Sequence, residues 1–148
     1  MRVLLVDDDP VFLQSAARLL APEAGFTVVG RARSGAEAIE QAGALSPDLV
    51  LMDVEMPDMD GLETTRRLKA LPIAPRVLLV SIYDSEARRF DAAAAGADGY
   101  IGKWELPWRL TGALWMAMEA DARPRSGPAG SAAPPGSGGG PPSSGASG

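Results

Sequence analysis

Neither cysteine nor histidine occurs in this chain, and the two absences remove whole classes of chemistry. Disulfides, thiolate zinc centres and cysteine nucleophiles are excluded. The chain also cannot form a phosphohistidine of its own, so a phosphoryl group travelling that way must come from another molecule. Basic charge is short as well: 14 Lys and Arg stand against 19 Asp and Glu, a net charge of −5 over 148 residues. Nucleic-acid binding calls for a basic face, and none is offered. Where basic residues do cluster, at Arg66, Arg67 and Lys69 and again at Arg88 and Arg89, they read as solvated helix faces. No apolar run has the length of a membrane span. Met1 and Arg2 lead into a short β-rich run with no signal-peptide pattern, so a cytoplasmic location without membrane contact is the expectation.

Large apolar side chains are missing from 121–148, which is almost entirely Gly, Pro, Ser and Ala. Nothing there offsets the entropy of ordering, and a disordered tail or linker is expected. Residues 1–120 are then one folded domain of ordinary size.

Within that domain, strand and helix patterns alternate. Apolar runs at Val3–Val6, Phe26–Ala32, Leu49–Val54, Val77–Ile82 and Tyr100–Gly102 read as strands. Pro10 suits the first turn of a helix reaching Leu20. Ser34 with Glu37 forms a capping-box pattern for a helix through Leu45. A turn-rich loop at 57–61 precedes a helix ending near Leu71. Ser85 caps a helix to about Ala95, which Gly96 stops, and a last helix spans about 106–120. Five βα units with near-continuous apolar strands predict an α/β fold: a doubly wound, five-stranded parallel sheet of order 2-1-3-4-5.

In such a sheet, residues just past the carboxyl ends of strands converge on one crevice. Asp7 and Asp8 follow the first strand, Asp53 the third, Ser81 the fourth and Lys103 the fifth. Adjacent carboxylates at a strand end are costly unless they meet water or a cation, and magnesium favours a few carboxylates plus a phosphate oxygen. Asp9 is instead suited to capping the first helix. Beside a cation, Asp53 can attack phosphorus and form an acyl phosphate. Ser81 and Lys103 can bind the phosphoryl oxygens. Taken singly, Ser81 is a strand-end hydroxyl and Lys103 a surface charge; their joint occurrence carries the reading.

The segments Val-Leu-Leu-Val-Asp-Asp-Asp-Pro (3–10), Leu-Val-Leu-Met-Asp-Val-Glu-Met-Pro-Asp-Met-Asp-Gly (49–61), Val-Leu-Leu-Val-Ser (77–81) and Gly-Ala-Asp-Gly-Tyr-Ile-Gly-Lys (96–103) resemble the receiver domain of bacterial two-component response regulators. Locally, 76–103 is most similar to receivers of the NarL/FixJ/LuxR-type class, which precede helix-turn-helix DNA-binding domains. The resemblance implies a flavodoxin-like, CheY-like (βα)5 fold and Asp53 as phosphoacceptor. It implies Mg2+ held by Asp7, Asp8, Asp53 and the backbone carbonyl of Glu55. Ser81 becomes the switch hydroxyl, Lys103 the phosphate-pairing lysine and Tyr100 the aromatic switch residue, although Tyr100 also reads as an ordinary core or surface ring. The implied partners are a sensor histidine kinase as phosphodonor and a downstream effector or a second copy of the chain. The chain itself is then no enzyme. It assists only its own phosphorylation and a slow dephosphorylation, while helix 4, strand 5 and helix 5 form the switched surface.

Other readings stay open. The chain can be the receiver part of a DNA-binding regulator, or a magnesium-dependent aspartyl-phosphate phosphatase or phosphotransferase in which Glu55 acts as acid/base. Flavin binding on the same fold lacks a phosphate-cradling loop after the first strand, where Asp7, Asp8 and Asp9 repel phosphate. Two departures from the family pattern stand out. Ile82 occupies a position that is commonly small, and Trp104 follows Lys103 where proline is common. Since a cis bond before a non-proline residue costs several kcal/mol, a trans bond is predicted there. In the last helix, Leu106, Leu110, Ala113 and Ala117 share one stripe. Trp108 and Trp115 project roughly opposite it, as interface candidates or as rings lying over neighbouring side chains.

Overall fold

The structure, a computed structural model, describes residues 1–119; the tail or linker expected over 121–148 lies outside the described residues. Each apolar run becomes a strand: β1 (Arg2–Val6), β2 (Thr27–Ala32), β3 (Leu49–Asp53), β4 (Arg76–Ser81) and β5 (Gly99–Gly102). They alternate with α1 (Pro10–Leu20), α2 (Gly35–Leu45), α3 (Gly61–Lys69), α4 (Glu86–Ala94) and α5 (Leu106–Glu119). The sheet runs β2-β1-β3-β4-β5 with every neighbouring pair parallel, as the sequence predicts. Among the described residues, no helix is long and apolar enough to cross a membrane.

Alternation along the central strands divides the core in two. Val3, Leu5, Leu49, Leu51, Leu78 and Val80 face α1 and α5, where Leu13, Leu20, Leu110 and Leu114 meet them. Leu4, Val6, Val50, Met52, Val77 and Leu79 face the other way, toward Ala38 and Ala42 of α2, Leu68 of α3 and Ala92 of α4. Burial on both faces is why these strands read as unbroken apolar runs. Truncating one such side chain, as in Leu51→Ala, is worth about 3 kcal/mol.

Side chains satisfy the orphan amides that open the helices. Asp9 Oδ1 accepts the Val11 N–H at 2.9 Å, Ser34 Oγ that of Glu37 at 3.1 Å, and Ser85 Oγ that of Arg88 at 3.2 Å. Asp60 does the same for Glu63 at 2.9 Å, a cap the sequence reading did not identify. The box at Ser34 closes one residue early, because Glu37 accepts from the Arg33 N–H at 2.5 Å. Gly96 ends α4 with φ of +101°, a conformation open to glycine.

Two details of packing differ from expectation. Leu114, not Ala113, completes the buried stripe of α5, and Ala113 is only partly buried against it. The basic clusters are solvated only in part. Arg66 and Arg67 are exposed, as that reading expects, and both pair with Glu63 along the helix, but Lys69 reaches Asp98 at 2.6 Å and the Pro75 carbonyl at 2.8 Å. Arg89 pairs with Asp84 at 2.8 Å. Arg88 turns inward toward Glu55.

Candidate functional site

The order reversal beside β1 and β3 brings Asp7 and Asp53 together at the carboxyl rim of the sheet. Both are buried, Asp7 fully and Asp53 to 3 % exposure, while Asp8 faces solvent. Asp7, Asp8 and Asp53 each offer an oxygen within 4.8 Å of the others. Asp7 Oδ1 accepts the Asp9 N–H at 2.8 Å, which fixes that carboxylate beside the start of α1. Asp53 Oδ1 is buried with no hydrogen-bond donor on it. An unsatisfied buried carboxylate oxygen is costly, and this one lies within a cluster of hard oxygen donors of the kind magnesium takes. The residues present therefore fit a divalent cation.

Gly61 keeps the opposite wall close. A Cβ there would lie 2.5 Å from the Asp53 carbonyl oxygen and 2.8 Å from the Val54 Cα, so only glycine lets α3 start this near the site.

Lys103 supplies the positive charge. Its Nζ stands 2.9 Å from Asp7 Oδ2 and 3.8 Å from Asp53 Oδ2. The same ammonium lies 4.3 Å from the centroid of the Phe12 ring on α1, a favourable cation–π placement. The bond to Trp104 is trans, as expected, with no cis peptide among the described residues. A short 3-10 turn at Lys103–Glu105 follows β5. Glu105 braces it, accepting the Gly102 N–H at 3.0 Å and an Arg109 N–H at 3.0 Å. Neither Phe12 nor Glu105 was identified from sequence. An aromatic residue one turn into the helix after the acidic triplet, and a Glu three residues past the strand, are the only signals that point to them.

Charge crowding shows in the titration of these groups. Burial first, then the charge of Asp7, pushes the Asp53 carboxyl up to about 7, against the opposing pull of Lys103. Asp7 is also raised, chiefly by burial, although its hydrogen bond from Lys103 works the other way. Lys103 is held above the usual lysine value: burial acts to lower it, but the bond to Asp7 and the charges of Asp53 and Asp7 outweigh that.

Ser81 is fully buried one residue beyond Val80, the register partner of Asp53. Its hydroxyl does not turn to Asp53. It donates to Glu55 Oε2 at 2.7 Å and accepts the Tyr83 N–H at 3.0 Å. Glu55 is also ion-paired with Arg88. The sequence reading gave Glu55 a backbone role, and missed what its side chain does. Tyr100 is partly buried, and its hydroxyl donates to the Tyr83 carbonyl at 2.5 Å. The Arg89 guanidinium sits 5.1 Å from the Tyr100 ring. Ile82 is 59 % exposed beside the rim.

The two tryptophans of α5 differ. Trp115 is half exposed and packs on Phe26 with ring centroids 4.9 Å apart, whereas Trp108 is 67 % exposed and meets Trp104 edge-on at 6.0 Å. Trp115 thus covers a neighbour, and Trp104 with Trp108 forms an exposed aromatic pair.

Comparison with known proteins agrees with this geometry. A family model described as the response regulator receiver domain matches residues 3–114. The nitrate/nitrite response regulator protein NarL of Escherichia coli is 38 % identical over 119 residues, which cover 80 % of this chain and 55 % of that protein. A protein-glutamate methylesterase/protein-glutamine glutaminase of Methanospirillum hungatei is 42 % identical over 99 residues, 66 % of this chain and 28 % of that protein. The signal receiver domain of the putative response regulator NarL from Mycobacterium tuberculosis superposes with a TM-score of 0.75 at 33 % identity, covering 80 % of this chain and 95 % of that one. This chain spans about half the length of the first of these relatives and under a third of the second.

Proposed function

The chain belongs to the response regulator receiver family of two-component systems, and from that premise we propose that Asp53 accepts a phosphoryl group from the phosphohistidine of a sensor histidine kinase. The observation that carries this reading is a buried carboxylate with a donor-free oxygen, set beside Asp7 with the Lys103 ammonium reaching both. In the step, an Asp53 oxygen forms a bond to phosphorus while the bond from phosphorus to the donor imidazole nitrogen breaks. The acyl phosphate stays on Asp53 and the imidazole leaves with its electron pair. Asp7, Asp8 and Asp53, with the Glu55 backbone carbonyl that the family resemblance implies, would hold magnesium, which would supply charge neutralisation for the phosphoryl oxygens. Lys103, already 3.8 Å from Asp53, is placed to pair with one of those oxygens. Ser81 is near enough along β4 to bind another once its hydroxyl turns.

Ser81 and Tyr100 each bond to Tyr83 in the β4–α4 loop, which links movement of one to the other. This makes α4, β5 and α5 the surface that an effector, or a second copy of the chain, reads in the phosphorylated form. Glu55 is engaged by Ser81 and Arg88 rather than poised as an acid or base, which favours a signalling module over a phosphatase. In this reading the chain turns over no external substrate, contacts no nucleic acid itself, and works in the cytoplasm beside its kinase. A second reading, a receiver that regulates a longer transcription factor, has support in the NarL relative, nearly half of which lies outside the match.

The test is incubation of the full chain with acetyl phosphate and magnesium, followed by intact mass. The expected result is one added phosphoryl group, absent without magnesium and absent in Asp53→Ala. Equal labelling of Asp53→Ala would overturn the assignment.

A further inference from the structure

Ser81 has a single hydroxyl proton, and Glu55 holds it. The Glu55 Oε2 atom that accepts this proton at 2.7 Å is also the atom paired with the Arg88 guanidinium. The Ser81 oxygen in turn accepts the Tyr83 N–H at 3.0 Å. While that arrangement lasts, Ser81 has no proton to offer a group on Asp53. Arg88 stands in the first turn of α4, below the Ser85 cap. Its side chain is 33 % exposed and that of Glu55 28 %, so the pair is not a fully solvated surface bridge of negligible effect.

We propose that Arg88 is a positioning residue that clamps Glu55 onto Ser81, so that a phosphoryl group on Asp53 can recruit Ser81 only by breaking this three-residue lock. The proposal rests on the phosphoacceptor reading above and adds the residue that opposes switching. Breaking the lock also frees the end of α4. Arg88 lies 5.4 Å from the Tyr83 ring, and the Tyr83 carbonyl holds the Tyr100 hydroxyl. Glu55, Ser81, Tyr83 and Tyr100 therefore form one connected path from the acidic site to β5, with Arg88 touching it at both Glu55 and Tyr83.

The sign of one substitution separates this clamp from simple electrostatics. Arg88 is a cation near the place where an anionic group would sit, so through-space attraction alone makes Arg88→Met bind a phosphoryl analogue more weakly. The clamp makes it bind more tightly, because Ser81 is released in advance. The experiment is titration of the full chain with beryllofluoride in saturating magnesium, followed by fluorine NMR. Arg88→Met is expected to gain about tenfold in affinity, the equivalent of one charge-assisted hydrogen bond no longer broken. Arg88→Lys keeps the ion pair and is expected to behave as the parent. In a Ser81→Ala background the Arg88→Met gain is expected to vanish, which a merely structural role for Arg88 would not produce. Unchanged or weaker binding by Arg88→Met, or a gain that persists without the Ser81 hydroxyl, overturns the clamp and leaves the phosphoacceptor reading intact. Absence of beryllofluoride binding in the parent chain overturns both.

Discussion

Two halves of the same rim differ in how their central functional groups are held. Between β1 and β3, Asp7 and Asp53 are crowded, under-neutralised and balanced by one ammonium, with an Asp53 oxygen left without a donor. Between β3 and β4, the Ser81 hydroxyl is engaged by Glu55 and Tyr83, and Glu55 is itself held by Arg88, although Glu55 Oε1 and Arg88 Nε stay buried without a hydrogen-bond partner. The first half is crowded in a way that a bound cation relieves. The second is held by contacts that the phosphoryl group proposed for Asp53 would have to disturb.

Removing Lys103 should break the first half most severely. Asp7 is fully buried and Lys103 is its cation, so Lys103→Met leaves a buried carboxylate without a counter-charge. The expected cost is about 3 kcal/mol in the metal-free protein, measured by urea unfolding. Magnesium is expected to restore most of it, which would show that cation and ammonium serve the same two carboxylates.

A smaller effect should follow pH. Asp53 titrates near 7 in the fold, against an ordinary value of 3.8. The folded state therefore binds a proton that the unfolded chain releases between those two values. The contribution of Asp53 is then fully present below about pH 4 and is lost as pH rises through 7. Without metal, Asp53→Asn is expected to be more stable than the parent at pH 8, by on the order of 2 kcal/mol, and the gap should close toward pH 5. A gap independent of pH, read by thermal unfolding of both proteins in chelator, would contradict the crowding described for the acidic half.

The mildest test sits where the halves meet. Ile82 follows Ser81 and is exposed, and in the proposed phosphoacceptor reading its bulk would restrict the approach of water to the acyl phosphate. Ile82→Ala is expected to lose phosphate several-fold faster once the donor is removed. A rate no faster than the parent would show that access is controlled elsewhere.

The acidic half was readable in advance because its information is local. A buried strand that ends in Asp tells where that Asp goes, and the strand order tells which Asp residues meet. Asp7, Asp8, Asp53 and Lys103 gather as that logic requires. The Ser81 half was less readable because its contacts depend on which way long side chains turn. Helical spacing marks Arg88 as part of a solvated face, yet from the first turn of α4 its side chain pairs with Glu55, 33 residues away in sequence. Trp115 shows the same limit. Its helical position points away from the α5 core stripe, but Phe26, just before β2, reaches under the ring. Leu114 was passed over for Ala113 because the two are neighbours on the helix, and only packing against the sheet selects between them.

Reduction with borohydride is the measurement that bears most directly on Asp53. This reagent converts an aspartyl phosphate to homoserine, and peptide mass locates the converted residue. After incubation with acetyl phosphate and magnesium, homoserine is expected at position 53 alone. Conversion at Asp7, Asp8 or Asp9 instead, or no conversion in a chain that has gained a phosphoryl group, would contradict the account.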